Sequence, residues 1–174
     1  MHKLTQPNLS DPQTLYASLV EQCTGLEIPC APTLSEHTER FDLVVDGLFG
    51  FNLDSSRVLS DEYKHALCLL HSTYAATVSI DLPSGWLCEL LSESDAEKHN
   101  RAMQCGKETD PKCLEWQPTM VVSLSAIKEC MVRFKGIEYV GGRFVPPVLA
   151  KELGIRIPTY PASAQFVKLH DKRN

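Results

Sequence analysis

The 174-residue sequence lacks several features that would place it in a special class of protein. No apolar run approaches the roughly 18 residues that a membrane-spanning helix needs, so the sequence predicts no membrane segment. Basic residues are in the minority, with 17 Lys and Arg against 22 Asp and Glu and a formal net charge of -5. This balance argues against a nucleic-acid partner gripped through its phosphates. The opening MHKLTQPNLSDPQ has neither an apolar core nor an arginine-rich amphipathic stretch, which argues against a targeting peptide.

Signatures of disulfide frameworks and of common catalytic centres are also missing. The seven cysteines are odd in number, show no CxxC spacing and lie partly in apolar segments. Because free cysteine is often interior, we expect most of them to be reduced, buried thiols in a cytosol-like compartment. The expected location is cytoplasmic, or mitochondrial if a longer N-terminus exists. No HExxH, P-loop or Ser-His-Asp order occurs, and the six histidines predict no metal cluster.

What the chain does contain is an alternation of strand-like and helix-like segments. The strand-like runs are continuously apolar rather than alternating, which favours a buried parallel sheet. We therefore predict one α/β domain over 1–174, a three-layer α/β/α Rossmann-like fold with a mostly parallel sheet and a polar surface insertion at 87–116. The predicted strands are FDLVVD (41–46), ATVSID (76–81), QPTMVVSLS (117–125) and, as the last, IEYVGG (137–142); the predicted helices run from Asp11 to Gly25, from Ser60 onward, and over VPPVLAKELG (145–154).

Two of the predicted strands end in an aspartate, in FDLVVDGLFGFN (41–52) and VSIDLPSGW (78–86). Open α/β sheets place ligand chemistry at the carboxyl ends of their strands. Either aspartate alone is equally well explained as a cap on the following turn. Asp46 and Asp81 together, with Ser84 close behind, favour a shared polar site. Such an all-oxygen set suits a hard cation rather than zinc.

Glycines follow the first of these strands in the turn GLFGFN. Gly47 and Gly50 would let the backbone approach a phosphate or ribose while Phe51 covers an aromatic ring. The same glycines are equally expected in a tight strand-to-helix turn. In VGGRFVPP (140–147) the preferred interpretation is a connector whose Arg143 is solvated.

The segments FDLVVDGLFGFN, VSIDLPSGW, QPTMVVSLSAIK (117–128) and YVGGRFVPP (139–147) closely resemble the NAD(P)HX epimerases, the family of the YjeF N-terminal domain. The resemblance runs from about residue 15 to residue 169. It implies a Rossmann-like domain that interconverts the R and S epimers of hydrated NADH or NADPH, a repair step for damaged nicotinamide nucleotide. It further implies a bound potassium ion, a small-molecule nucleotide substrate and no nucleic-acid or membrane partner, and it is compatible with a homodimer.

The resemblance also implies roles for particular residues. Asp46 and Ser84 match potassium-site residues, and Asp81 matches the acidic residue that meets the damaged nicotinamide. Either the hydroxyl at C6 of the ring must leave and return on the other face, or an equivalent ring opening must occur. Because both routes need a proton donor and acceptor, Asp81 is the expected catalytic acid or base. The expected substrate-binding residues are Gly50, Phe51, Asn52, Leu53 and Asp81, with the rest of the loop near Asp54 to Arg57.

One part of the family pattern has no counterpart here. Relatives carry a phosphate-binding loop of the form NNGGDG after their first strand, and this sequence begins, by comparison, after the second. We therefore expect the first strand and its phosphate loop to be lacking, as from an N-terminally truncated sequence. Two alternatives remain at this level: an inactive nucleotide-binding or scaffold protein on a degenerate copy of the domain, and a chain that completes its sheet with a partner.

Overall fold

The computed structural model describes residues 15–30, 41–51, 60–86, 116–155 and 157–171. Within these ranges five strands form one sheet in the order β1-β2-β3-β4-β5. Strands β1 to β4 run parallel, and β5 runs antiparallel to β4. The predicted α/β class with a mostly parallel sheet is confirmed. The strands are β1 (Leu43–Asp46), β2 (Ala76–Ile80), β3 (Met120–Leu124), β4 (Ile137–Gly141) and β5 (Phe166–Asp171).

The fifth strand corrects the prediction that IEYVGG is the last one. β5 returns alongside β4, with Gly141 opposite Phe166, and the register shifts between Glu138 and Tyr139. Its sequence, FVKLHD, mixes apolar and charged residues without a sustained alternation. A strand at the edge of a sheet needs only part of its surface to be apolar, so its pattern is weak.

The second and last helices begin close to the predicted positions, and the first ends at Gly25 as predicted. The predicted start of the first helix at Asp11 lies outside the described residues, as does the predicted insertion at 87–116 apart from residue 116. The helices are α1 (Leu15–Gly25), α2 (Asp61–Ser72), α3 (Pro147–Leu153) and a short 3₁₀ helix (Glu129–Arg133). Ser60 occupies the N-cap position of α2 but makes no side-chain capping bond. α3 starts with proline and ends on Gly154, which adopts the left-handed conformation that favours glycine. None of the helices in the described ranges is long and apolar enough to cross a bilayer.

The core lies between β3 and the segment around the 3₁₀ helix. It consists of the fully buried Leu82, Val121, Cys130, Met131 and Phe134, with Trp86 packed against it. Strands β1 to β4 are parallel and lie side by side in chain order. The connections between such strands are right-handed, so the helices in them cover the same face of the sheet. α2 and the 3₁₀ helix therefore lie on one face. Because Leu82 and Trp86 are part of this packing, the described first part of the loop after β2, residues 81–86, is anchored to the core.

The cysteines follow the prediction only in part. Cys130 is a buried, reduced cysteine, whereas Cys30 is reduced and exposed. The expectation of reduced thiols is wrong for Cys68, which is disulfide-bonded. The number and spacing of cysteines in a sequence do not reveal which of them come within the bridging distance, since the tertiary fold decides this.

Candidate active site at the carboxyl edge of the sheet

Three neighbouring strands end at the same edge of the sheet. Asp46 is the last residue of β1 and pairs in register with Ser79 of β2. Asp81 follows directly after β2, and its backbone N–H donates to the carbonyl of Val122 in β3 at 2.8 Å. Parallel strands present their carboxyl ends together, so both aspartates and the turn after β3 border one crevice.

The Asp46 carboxylate is the centre of a buried hydrogen-bond cluster. Its Oδ2 accepts from the Ser79 hydroxyl at 2.7 Å and from the Ser84 N–H at 2.8 Å. Its Oδ1 accepts from the Ser84 hydroxyl at 2.5 Å and from the Leu48 N–H at 3.3 Å. The side chain is only 3% exposed. Asp46 therefore joins its own turn to the loop after β2, which is more than the local cap that the sequence allowed.

Ser84 carries further bonds away from this cluster. Its hydroxyl accepts from the N–H of Phe49, and the ring of Phe49 packs on Tyr63 of α2 with the centroids 5.3 Å apart. Its carbonyl lies 3.3 Å from Nε2 of His71. Ser84 thus fixes the turn after β1, the loop after β2 and helix α2 relative to one another.

His71 is a functional neighbour that the sequence did not single out. Its ring stacks on Trp116 at 4.5 Å between centroids. Since the Ser84 carbonyl can only accept, Nε2 carries the proton, and buried Nδ1 has no hydrogen-bond partner among the described residues. Burial lowers the pKa of His71, and the bond to Ser84 and the negative charge of Asp46 oppose this shift in part. The ring is therefore kept neutral.

The donor set at Asp46 and Ser84 fits an alkali cation. Among the described residues the ion pairs are Lys64 with Asp61 and Lys128 with Asp81, and neither gives the buried Asp46 charge a basic partner. A carboxylate and a hydroxyl are oxygen ligands of the kind that hard cations prefer. Within the described ranges no three His, Cys, Asp or Glu side chains come together, so the set lacks the imidazole and thiolate ligands typical of zinc.

Asp81 has an unusual backbone and a directed carboxylate. Its φ is 71°, in the left-handed region that Asp tolerates better than most residues. The residue is 5% exposed, and its Oδ1 accepts from the Leu124 N–H at 3.2 Å and from the ammonium of Lys128. Residues held in such sparsely populated conformations cluster at functional sites. The structure thus directs Oδ2 away from β3, toward the turn after β1.

The predicted substrate loop begins next to this oxygen. The N–H of Phe51 donates to Asp81 Oδ2 at 3.3 Å, and a Cβ on Gly50 would lie 3.4 Å from the same atom. The Phe51 side chain is 59% exposed. The structure brings together Gly50, Phe51 and Asp81, whereas Asn52 and Leu53 lie outside the described residues.

Lys128 is the other residue that the sequence reasoning did not assign. It lies four residues beyond β3, in the turn that includes Ser125 with a φ of 65°. Its position at the end of the segment QPTMVVSLSAIK was a usable signal, because QPTMVVSLS was predicted to be a strand of the mostly parallel sheet, whose carboxyl ends share one edge. Ser79 gave a weaker signal, since a serine inside a strand is unremarkable until its neighbour is known.

Comparisons with known proteins agree with this architecture. Residues 2–130 match the family described as YjeF-related protein N-terminus. The NAD(P)H-hydrate epimerases of Caenorhabditis briggsae and Caenorhabditis elegans are 34% and 35% identical over 157 residues, which is 90% of this chain and 60% of each of those proteins. The NAD(P)H-hydrate epimerase of Puccinia graminis f. sp. tritici is 33% identical over 156 residues, 88% of this chain and 56% of that protein.

A solved structure shows the same fold. The crystal structure of yeast ynu0, YNL200c, has a TM-score of 0.70 at 24% identity, over 91% of this chain and 62% of that chain. The protein thus spans about three fifths of the length of the curated relatives that it matches. Because the family match covers well over half of the sequence, this chain belongs to the YjeF-related protein N-terminus family.

Proposed function

We propose that this protein interconverts the R and S epimers of hydrated NADH and NADPH. Three relatives of 33 to 35% identity carry the name NAD(P)H-hydrate epimerase. The observation that carries the proposal is the buried Asp81 carboxylate, set on a left-handed backbone beside the Gly50–Phe51 turn. Dinucleotides bind at this edge of doubly wound sheets.

The chemistry requires one carboxylate close to C6 of the reduced ring. As the C6–O bond breaks, the lone pair of the ring nitrogen forms a C=N bond. The departing hydroxyl takes the proton of Asp81, which enters this step as the carboxylic acid, and leaves as water. Water then adds to C6 from the other face and returns a proton to the carboxylate, so the cycle balances. While the ring is cationic, the adjacent carboxylate stabilises its positive charge.

The turn after β1 supplies the substrate-binding part of the proposal. The small Gly50 leaves room over Asp81 Oδ2, and the exposed Phe51 ring is available to stack on an aromatic ring of the nucleotide. Asn52 and Leu53 continue this loop and are proposed to contact the substrate on the grounds of the family resemblance alone.

We also propose Asp46 and Ser84 as potassium-site residues. The ion would supply a positive charge beside the buried Asp46 carboxylate and so favour the fixed loop arrangement. If this is right, KCl should raise the melting temperature above that in choline chloride at equal ionic strength. Asp46→Asn should remove the difference between the two salts, while equal melting temperatures for the wild type would contradict the potassium site.

The Asp81→Asn variant tests the epimerase proposal. Loss of a general acid or base should lower the turnover of hydrated NADPH by about 10²-fold or more. The epimers are separated by chromatography, and the melting temperature reports whether the variant is folded. The exposed Asp42→Asn is the matched control and should keep wild-type turnover.

The two possible failures of this experiment mean different things. Wild-type turnover in a folded Asp81→Asn variant would remove Asp81 from the mechanism. A folded wild type without turnover would favour the scaffold alternative, which the names of the relatives do not support.

A further inference from the structure

The ammonium of Lys128 is held by three oxygens at once. It donates to Oδ1 of Asp81, to the Leu124 carbonyl at 2.8 Å and to the Ala126 carbonyl at 3.2 Å. An ammonium group has three N–H donors, so this set uses all of them. The side chain is 15% exposed. Lys128 is therefore a fixed charge rather than a mobile surface lysine.

The two oxygens of Asp81 consequently have different surroundings. Oδ1 accepts from the Lys128 ammonium and from the Leu124 N–H, both of which belong to the end of β3 and the turn after it. Among the described residues, Oδ2 accepts a single long bond, from the Phe51 N–H at 3.3 Å, and it faces the Gly50 turn. Rotation of the carboxylate would break both bonds on Oδ1. The carboxylate is thus held in one orientation.

We propose that Lys128 is a positioning residue that holds Asp81 by Oδ1 and thereby presents Oδ2 to the substrate. This inference rests on the proposed function of Asp81. It assigns the proton exchange at C6 to Oδ2 and excludes Lys128 itself as the proton donor, because its three hydrogens are engaged with fixed acceptors. A charge-assisted bond of this kind gives more geometric control than a neutral one.

The kinetic test compares four proteins: the wild type, Lys128→Met, Asp81→Asn and the double variant. Misplacement of a catalytic group by about 1 Å costs on the order of 10²-fold in rate, so Lys128→Met should lower kcat by about 10- to 100-fold with little change in KM. In the Asp81→Asn background the same change should cost nothing further, because Lys128 acts through Asp81. The exposed Lys135→Met is the matched control and should leave kcat unchanged.

Three kinetic results would overturn the inference. An unchanged kcat in Lys128→Met would show that Asp81 does not need this partner. A rise in KM alone would make Lys128 a substrate contact, and losses that multiply in the double variant would show an independent role.

A second measurement separates this inference from the epimerase proposal. Urea unfolding of the same four proteins gives the coupling between Lys128 and Asp81 without any substrate. If the wild type shows no turnover, the epimerase proposal fails, and a clear coupling still supports the holding of Asp81 by Lys128. Additive stabilities would contradict the holding itself, whatever the activity.

Discussion

Replacing Asp46 by Asn changes the centre of the buried cluster while keeping the shape of the side chain. The carboxylate receives two hydroxyl hydrogens and two backbone N–H groups. The hydroxyls of Ser79 and Ser84 can rotate and accept from an amide instead. The N–H groups of Ser84 and Leu48 cannot, and they lie on different carboxylate oxygens. In either orientation, the amide nitrogen therefore faces one of these N–H donors.

The structure indicates which of the two N–H groups loses its acceptor. The bond from Ser84 is 2.8 Å and the bond from Leu48 is 3.3 Å, so the amide oxygen should stay on Ser84 and its nitrogen should face Leu48. A stranded N–H costs about 1–3 kcal/mol, and the bonds that remain lose the extra strength that an ionised acceptor gives. We expect a total of about 2–4 kcal/mol. For a chain of this length, 3 kcal/mol corresponds to roughly 6–12 °C in melting temperature.

The assay is equilibrium unfolding in urea, in choline chloride without added potassium. Asp42→Asn, an exposed neighbour of the same strand, is the control and should stay within about 0.5 kcal/mol of the wild type. If Asp46→Asn unfolds at the wild-type urea concentration, the four bonds do not stabilise the fold as argued. Greater stability than the wild type would mean that the burial of the negative charge costs more than the bonds contribute.

Three further predictions concern His71, Gly136 and Gly50. Burial lowers the pKa of His71, so the unfolded chain binds a proton at this residue more tightly than the folded chain does. The free energy of unfolding should therefore fall as the pH decreases below about 6.5. In thermal melts below that pH, His71→Phe should weaken this dependence. A Cβ on Gly136 would contact the Phe134 ring and lie 2.7 Å from the Thr119 carbonyl. In urea unfolding, Gly136→Ala should therefore lower the free energy of unfolding by about 1–3 kcal/mol. An unchanged free energy of unfolding would contradict this close packing. At Gly50 an added Cβ makes only ordinary contact, so Gly50→Ala should keep the fold, whereas Gly50→Leu should raise KM for the hydrated nucleotide at an unchanged melting temperature.

The sequence was sufficient to predict the positions of the two aspartates. An apolar run that ends in Asp predicts a buried strand with a carboxylate at its carboxyl end, and parallel strands bring such ends together. This is why Asp46 and Asp81 border the same crevice. The contact between Asp46 and Ser84 was anticipated as well, although the fourfold hydrogen bonding was not, because it depends on how the two loops cross.

The residues that escaped prediction are joined by tertiary contacts. Lys128 meets Asp81 across 47 positions of sequence, and His71 meets Ser84 only because α2 packs against the loop after β2. Arg143 is exposed, as expected, but its bond to the Ala162 carbonyl at 3.0 Å and its position 5.5 Å from the centre of the Tyr160 ring were not predicted. Each of these contacts depends on the path of a distant loop, which local patterns do not encode.

The central claim is that this chain epimerises hydrated nicotinamide nucleotides, and the reaction can be followed from both ends. Separate samples of R-NADPHX and S-NADPHX are incubated with the purified protein, and their epimer ratios are followed by chromatography. The account predicts that both samples reach the same mixture faster than without protein, at rates proportional to protein concentration. Rates equal to those in buffer, with a protein that melts cooperatively, would contradict it.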